Sequence, residues 1–344
     1  MKHDGYALIT GASRGLGMAF ARALAERHCS LVLVARSAEP LHSFANELRR
    51  SSPVAVIAIQ LDLSASGAGQ ILAEQLTTGG VPIELLVNNA GFGLRGEFRD
   101  LSLARQLEML RLNNEAIVEL TYSLLPRMLE RRQKGIINIS STAGFQPIPF
   151  ASAYSATKAF LTTFSLALEQ ELRSAGVSVV TVCPGRLRKT QNGESEQPTP
   201  GKWAGIYQSP EQVVEEALRV LANGGGLTVP GALNKFSVFA QRLIPREPCA
   251  QVGRKAVEGM MHGHAHGPFG PVVMIFCRLN LNRYRRIVNQ TIMLPNTSLV
   301  PAQHDERSPE VNISGTAVLL ALATGLCLTG PLVWMFVRYW LFGL

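Results

Sequence analysis

The first 185 residues alternate six short apolar runs, rich in β-branched residues, with longer segments whose apolar residues recur every three or four positions. The runs are Tyr6 to Thr10, Leu31 to Ala35, Val54 to Ile59, Leu85 to Val87, Ile136 to Ile139 and Val177 to Val182. A strand with one wet face alternates apolar and polar residues. These runs are nearly continuous, so each reads as a strand buried on both faces. Such strands, separated by helical crossovers, define an α/β fold with a doubly wound parallel sheet whose ligands bind outside the carboxyl ends of the strands. One crossover places Phe160, Phe164, Leu168 and Leu172 at helical spacing, as expected of a core-facing stripe.

The first carboxyl end carries Thr10-Gly11-x-x-x-Gly15-x-Gly17, with Ser13 and Arg14 inside the turn. Glycines there permit a tight turn and a close backbone approach to a pyrophosphate seated on the positive N-terminus of the next helix. Alone, the pattern also fits an ordinary glycine-rich turn; its position directly behind the first strand favours the nucleotide reading. After the second strand a carboxylate would be expected if a ribose 2′-hydroxyl were the partner. Instead Ala35 is followed by Arg36. Arg36 and Arg14 together are suited to a 2′-phosphate and make NADP(H) the expected cofactor over NAD, although either one alone is equally consistent with a solvated arginine.

Tyr154 and Lys158 form a Tyr-x-x-x-Lys pair, and Ser141 lies thirteen residues upstream of the tyrosine. That spacing sets phenol and ammonium one turn apart on one helix face. The lysine charge is expected to favour the phenolate and so to tune Tyr154 as a general acid and base toward a carbonyl or an alcohol. In isolation the pair also describes a solvated helix face with one buried ring. Its order after the other signals, at consistent strand and helix ends, is what distinguishes it.

On these residues the chain resembles the short-chain dehydrogenase/reductase family. The resemblance runs through Thr10 to Gly17, Asp62-Leu63, Asn88-Asn89-Ala90-Gly91, Asn113, Ser141, Tyr154, Lys158 and Pro184-Gly185, over roughly residues 4 to 245. It implies that NADPH passes a hydride to a carbonyl carbon while Tyr154 gives a proton to the oxygen that Ser141 holds. Lys158 would hold the nicotinamide ribose and lower the tyrosine pKa. Asn113, in the middle of the long helix after the fourth strand, would hold a water that refills the tyrosine. Asp62 would bond the adenine with Leu63 beside it, and Asn89, Ala90 and Gly91 would line the adenosine ribose. Pro184 and Gly185 belong to the cofactor-binding set, and Leu187 falls where the family's backbone meets the nicotinamide carboxamide. One departure stands out: the threonine the family often places four residues past Gly185 is here Lys189, with Thr190 next. Arg186 to Ser209 is rich in Pro, Gly, Ser and Gln and reads as a loop over the site, with Trp203 and Tyr207 as pocket-lining aromatics or loop anchors. The resemblance also implies a homodimer or tetramer through the helices around Asn113 and Tyr154.

At 344 residues the chain exceeds the ~250 that a single domain of this kind usually needs. Residues 315–337 hold 23 positions without a charge, about 34 Å as a helix against a hydrocarbon core of about 30 Å. Trp334, Tyr339 and Trp340 cluster at one end, as interfacial aromatics do, and Pro331 is compatible with a span. A buried core helix or an oligomerisation helix is the alternative. The net charge is +8, and from Lys235 to Arg286 nine basic residues face two acidic ones, Glu247 and Glu258. Such a segment is drawn to anionic headgroups. Nucleic acid is not expected, because no aromatic interleaving or recognition module accompanies the charge. Val272 to Phe276 is too short to span and is placed at the membrane interface. The five cysteines have no paired spacing, which fits a reducing compartment. The sequons at Asn289, Asn296 and Asn312 then read as accidental. No metal is expected, since His262-x-His264-x-His266 lacks carboxylates or cysteines nearby and reads as a loop. The first strand begins at Tyr6, so no signal peptide is expected and the catalytic domain is placed in the cytoplasm.

The reading is thus an α/β chain with a Rossmann-type parallel sheet of about seven strands flanked by helices, plus a C-terminal transmembrane helix. Its expected parts are a catalytic domain over residues 1–245, a basic, partly irregular linker over 246–314, the span over 315–337 and a short tail over 338–344. The expected function is NADPH-dependent reduction of a ketone or aldehyde, or the reverse oxidation, on a lipophilic small molecule at a membrane to which the chain is anchored by a single C-terminal pass. The alternatives are an NADP-binding sensor or scaffold without catalysis, and a soluble oxidoreductase whose tail packs into an oligomer.

Overall fold

The structure, a computed structural model, describes residues 5–132, 134–187 and 207–242. Seven parallel strands form one sheet in the order β3-β2-β1-β4-β5-β6-β7. They are β1 Tyr6–Thr10, β2 Ser30–Ala35, β3 Val56–Gln60, β4 Ile83–Asn88, β5 Gly135–Ile139, β6 Ser178–Val182 and β7 Gly226–Thr228. The six runs read from the sequence are the first six strands, with β3 starting later than expected and β4 extending at both ends. β7 has only three residues and is fixed by its pairing with Val180, Thr181 and Val182.

The continuous apolar runs are explained by helices on both faces. Along β2, Leu31, Leu33 and Ala35 enter a core with α1 (Gly15–Glu26), α2 (Ala38–Ser51) and α7 (Pro210–Ala222), whereas Val32 and Val34 enter a second core with α3 (Ala68–Thr78), α5 (Ala116–Leu129) and α6 (Ser152–Leu172). Burying each such leucine or valine side chain contributes about 1.5–3 kcal/mol. Two helices lie apart from this plan: α4 (Leu103–Leu110), which runs through a π-turn at Arg111–Glu115 into α5, and α8 (Ala232–Arg242) after β7.

The chain winds outward from β1 to β3 and then returns to place β4 on the other side of β1, which opens a crevice at the carboxyl ends of β1 and β4. The stripe expected on α6 is only partly core: Leu168 and Leu172 are buried, but Phe160 is exposed and stacks on Phe164 with ring centroids 5.9 Å apart. The apolar spacing continues there onto a face that the sheet does not cover.

The candidate span 315–337, the basic linker, His262 to His266, Trp203, Lys189 and Thr190 lie outside the described residues. Among those described, no helix is long and apolar enough to cross a membrane. Phe20 on α1 is fully buried, whereas Ile71 on α3 is 57% exposed. Phe20→Ala is expected to cost about 3–5 kcal/mol in urea unfolding. Ile71→Ala should stay within about 0.5 kcal/mol.

Candidate active site

The glycine turn is built from three glycines with different duties. Gly11 (φ +67°) closes β1, and a Cβ there would lie 2.9 Å from the Ala90 Cα. A Cβ on Gly17 would sit 2.3 Å from the Gly11 carbonyl oxygen, so α1 could not pack so closely on the turn. Gly15 has open space but φ +54°, a conformation that costs other residues about 1–2 kcal/mol. The first turn of α1 holds no acidic residue, and its capping residue, the exposed Arg14, makes no side-chain cap. The orphan amides at this helix start are therefore left to a ligand, and an anion suits them. Ser13 is half-buried in the same turn.

Opposite the turn, the loop after β4 is laced to β1. Thr10 Oγ1 accepts from the amides of Asn89 (3.0 Å) and Ala90 (2.9 Å), and Asn89 Nδ2 donates to the carbonyls of Thr10 (2.8 Å) and Gly11 (3.2 Å). Asp62 follows β3 and accepts from the Ser64 amide and hydroxyl. Burial would raise its pKa, but the two Ser64 bonds and the Arg36 charge outweigh that and hold it below the ordinary range. Leu63, expected beside the adenine, buries its side chain in the core and leaves its main chain as the part that can face a ligand. Arg36, directly behind β2, is exposed.

At the end of β5, Ser141 caps a short 3-10 turn, Thr142–Phe145, by accepting from the Ala143 amide, and its hydroxyl lies near enough to the Tyr154 phenol to lower that group's pKa. Tyr154 and Lys158 occupy consecutive turns at the start of α6, as the spacing requires. Lys158 is buried and its Nζ donates to the Ile139 carbonyl at 2.9 Å. Burial pulls its pKa down to about 8, only partly countered by the neighbouring Cys183.

The direction expected for Tyr154 is corrected by the structure. Its pKa is raised, because burial outweighs the lowering by Ser141 and by the charge of Arg95. Lys158 is turned to the Ile139 carbonyl and is not among the groups that set it.

Asn113 lies in the π-turn between α4 and α5, the kind of bulge often found at functional sites. It is fully buried: Nδ2 donates to the Phe92 carbonyl and to Thr157 Oγ1, both at 3.0 Å, and Oδ1 accepts from the Phe92 amide at 3.1 Å. Its side chain is thus engaged within the protein. The tight packing of Gly91 follows, since a Cβ there would come 2.9 Å from Asn113 Oδ1.

Pro184 accepts from the Thr142 amide at 3.0 Å, and Leu187 forms a parallel bridge to Gln208. Gly185 makes room for Asn234 of α8, whose Nδ2 donates to Gln208 Oε1 and the Pro230 carbonyl. Gln208 and Asn234 were not legible in the sequence, because no local pattern brings them to Gly185. Nor were Thr157, Arg95, Gly93 and Phe150. Gly93 packs on the tyrosine ring, where a Cβ would lie 2.9 Å from Tyr154 Cδ2. Phe150 takes φ +63°, strained for a bulky residue, and its carbonyl accepts from the Gly96 amide, which ties the β4 loop to the turn entering α6.

The described expected residues therefore converge on one crevice. The glycine cradle, the uncapped start of α1 and the exposed Arg36 fit a phosphorylated dinucleotide. The family described as short chain dehydrogenase matches residues 5–200. The ketoacyl reductase HetN of Nostoc sp. is 38% identical over 216 residues, covering 63% of this chain and 75% of that protein. The very-long-chain 3-oxoacyl-CoA reductase of Mus musculus is 32% identical over 223 residues, covering 63% and 68%. Among solved structures, a short-chain dehydrogenase from Sphingobium yanoikuyae in complex with NADPH is 32% identical with a TM-score of 0.59, covering 65% of this chain and 87% of that one.

Lys158 generates a pH dependence of known sign. An unfolded lysine titrates near 10.5 and this one near 8, so between those values the unfolded chain holds the extra lysine proton and the Lys158 contribution to stability rises with pH, opposed above about 9 by the buried Cys29 and Cys183 thiols, which are pushed up to about 11. Lys158→Met should flatten that rise relative to wild type in denaturant titrations across the same window.

Proposed function

We propose, from the premise that this chain belongs to the short-chain dehydrogenase family, that it is an NADPH-dependent reductase of a lipophilic ketone or aldehyde with Tyr154 as its proton donor. The observation that carries the reading is the Tyr154 phenol set one helical turn from the buried Lys158, near the Ser141 hydroxyl and in the same crevice as a glycine cradle. The chain is an oxidoreductase of CH–OH and C=O groups, and NADP(H) supplies or accepts the hydride at the carbonyl carbon.

The chain's own residues do the rest. The amides at the start of α1, with Arg14, hold the pyrophosphate; Arg36 meets the 2′-phosphate; Asp62 meets the adenine; and Lys158 meets the nicotinamide ribose. Asn89, Ala90 and Gly91 line the adenosine ribose, and Pro184, Gly185 and Leu187 approach the nicotinamide end. Ser141 holds the substrate oxygen against the phenol. Tyr154, protonated at neutral pH as a phenol ordinarily is and with burial raising its pKa further, gives its proton to that oxygen as the C=O becomes C–OH. The water that refills it sits on the Asn113 main chain, because the Asn113 side chain is engaged elsewhere.

The substrate class rests on the 23-residue uncharged run at 315–337 and on relatives that reduce ketoacyl and 3-oxoacyl-CoA compounds. A long-chain 3-keto acyl compound is favoured, with the chain held on a membrane by that run and its catalytic domain in the cytoplasm. The catalytic part extends over 1–245 and the linker over 246–314. Exposed Leu103, Leu107, Leu110, Val118, Tyr122 and Phe160 on α4, α5 and α6 favour a homo-oligomer through those helices.

In detergent, full-length protein should oxidise NADPH with long-chain 3-ketoacyl substrates faster than with small soluble ketones. Tyr154→Phe should lose about two to four orders of magnitude in turnover while still binding NADPH. Equal rates for both substrate classes would remove the lipophilic assignment; an active Tyr154→Phe would remove the proton-donor role. The intact chain should remain in the membrane fraction after a high-salt wash, and a chain ending before residue 315 should not.

A further inference from the structure

Arg36 does not stand alone at the expected 2′-phosphate position. Its Nη1 donates to Oε1 of Glu108 at 3.1 Å and lies 3.9 Å from Oδ2 of Asp62. Glu108 is on α4 with its side chain only 22% exposed, and its other oxygen, Oε2, accepts from Nη1 of Arg105. The Arg105 guanidinium lies over the Phe92 ring, 4.7 Å from the centroid, and the Phe92 main chain is clamped by Asn113. Glu108 therefore divides its two oxygens between one guanidinium at the cofactor end and another seated on the wall of the site.

A carboxylate bonded to Arg36 supplies what a phosphate oxygen would supply, a negative charge and an acceptor for the same N–H fork. A phosphate arriving there must share or displace it. Displacement is cheap in this geometry, because Glu108 keeps Arg105 and no half-buried carboxylate is left unpaired. We propose that Glu108 competes with the 2′-phosphate of NADP(H) for Arg36 and, with Arg105 as its alternate partner, sets how strongly the site discriminates NADP(H) from NAD(H). The inference rests on the cofactor reading above. NAD(H) carries a hydroxyl at that position, so the competition does not touch it.

The test is calorimetric titration of full-length protein in detergent with NADP⁺ and, separately, NAD⁺. Glu108→Gln keeps an acceptor for Arg36 but removes the charge. It should tighten NADP⁺ by about fivefold, the upper range of a partly exposed ion pair, and leave NAD⁺ unchanged. Arg105→Gln removes the alternate partner and should weaken NADP⁺ with NAD⁺ again unchanged. If Arg105→Gln fails to fold by thermal unfolding, the Glu108→Gln result decides. Equal shifts for both dinucleotides, no shift, or weaker NADP⁺ binding in Glu108→Gln would overturn the competition. Wild-type protein that binds NAD⁺ as tightly as NADP⁺ would instead overturn the cofactor reading beneath it.

Discussion

The bonds that Thr10 and Asn89 make across the sheet's switch point hold the rest of the site in register. Two amides of the β4 loop end on the Thr10 hydroxyl, and the Asn89 side chain returns to the carbonyls of Thr10 and Gly11. The contact continues without a gap. Gly91 and Phe92 lie against Asn113; Asn113 Nδ2 donates to Thr157; and Thr157 Oγ1 donates to the Tyr154 carbonyl at 2.7 Å. One connected path therefore runs from the glycine turn to the helix that carries Tyr154. Each hydrogen bond along it is buried or half-buried, where a lost bond leaves an unsatisfied group costing about 1–3 kcal/mol.

A second polar path steadies the same region from within the core. Asn88 Nδ2 donates to Asn138 Oδ1 at 2.8 Å, and Asn138 Nδ2 donates to Ser165 Oγ at 2.8 Å, which joins β4, β5 and α6. Buried polar groups of this kind fix register, because a slipped strand would leave them unpaired. Placing Tyr154 and Ser141 on α6 and at the end of β5 sets them on the elements so joined. Tyr154 and Ser141 are thus positioned by rigid structure.

The fold was legible because its strands are wet on neither face, so a local run of β-branched residues suffices to mark each of the first six. β7 was not marked: a run of Gly226, Leu227 and Thr228 becomes a strand only by pairing with β6. The site was legible where a short spacing carries the geometry, as in Tyr154 with Lys158 and in the glycine turn. It was not legible where the partner is distant in sequence. Arg36 was found, but Glu108, 72 residues away, was not. Asn113 does lie midway along the helix that runs from α4 through the π-turn into α5, but the π-turn itself and the side-chain bonds to Phe92 and Thr157 have no local signature. The direction of the Tyr154 pKa shift could not be read from a helical spacing, because burial sets it and the lysine ammonium points to another strand's carbonyl.

The most direct measurement is the fate of an isotopic label. Full-length protein would be incubated with NADPH deuterated at the nicotinamide C4 and a long-chain 3-ketoacyl thioester, and the product analysed by mass spectrometry. One deuterium on the new carbinol carbon, from one face of the cofactor and absent with Tyr154→Phe, is the expected result. Consumption of NADPH with no deuterium in the product, or no reaction with any ketone while NADPH binds, would contradict the reductase assignment.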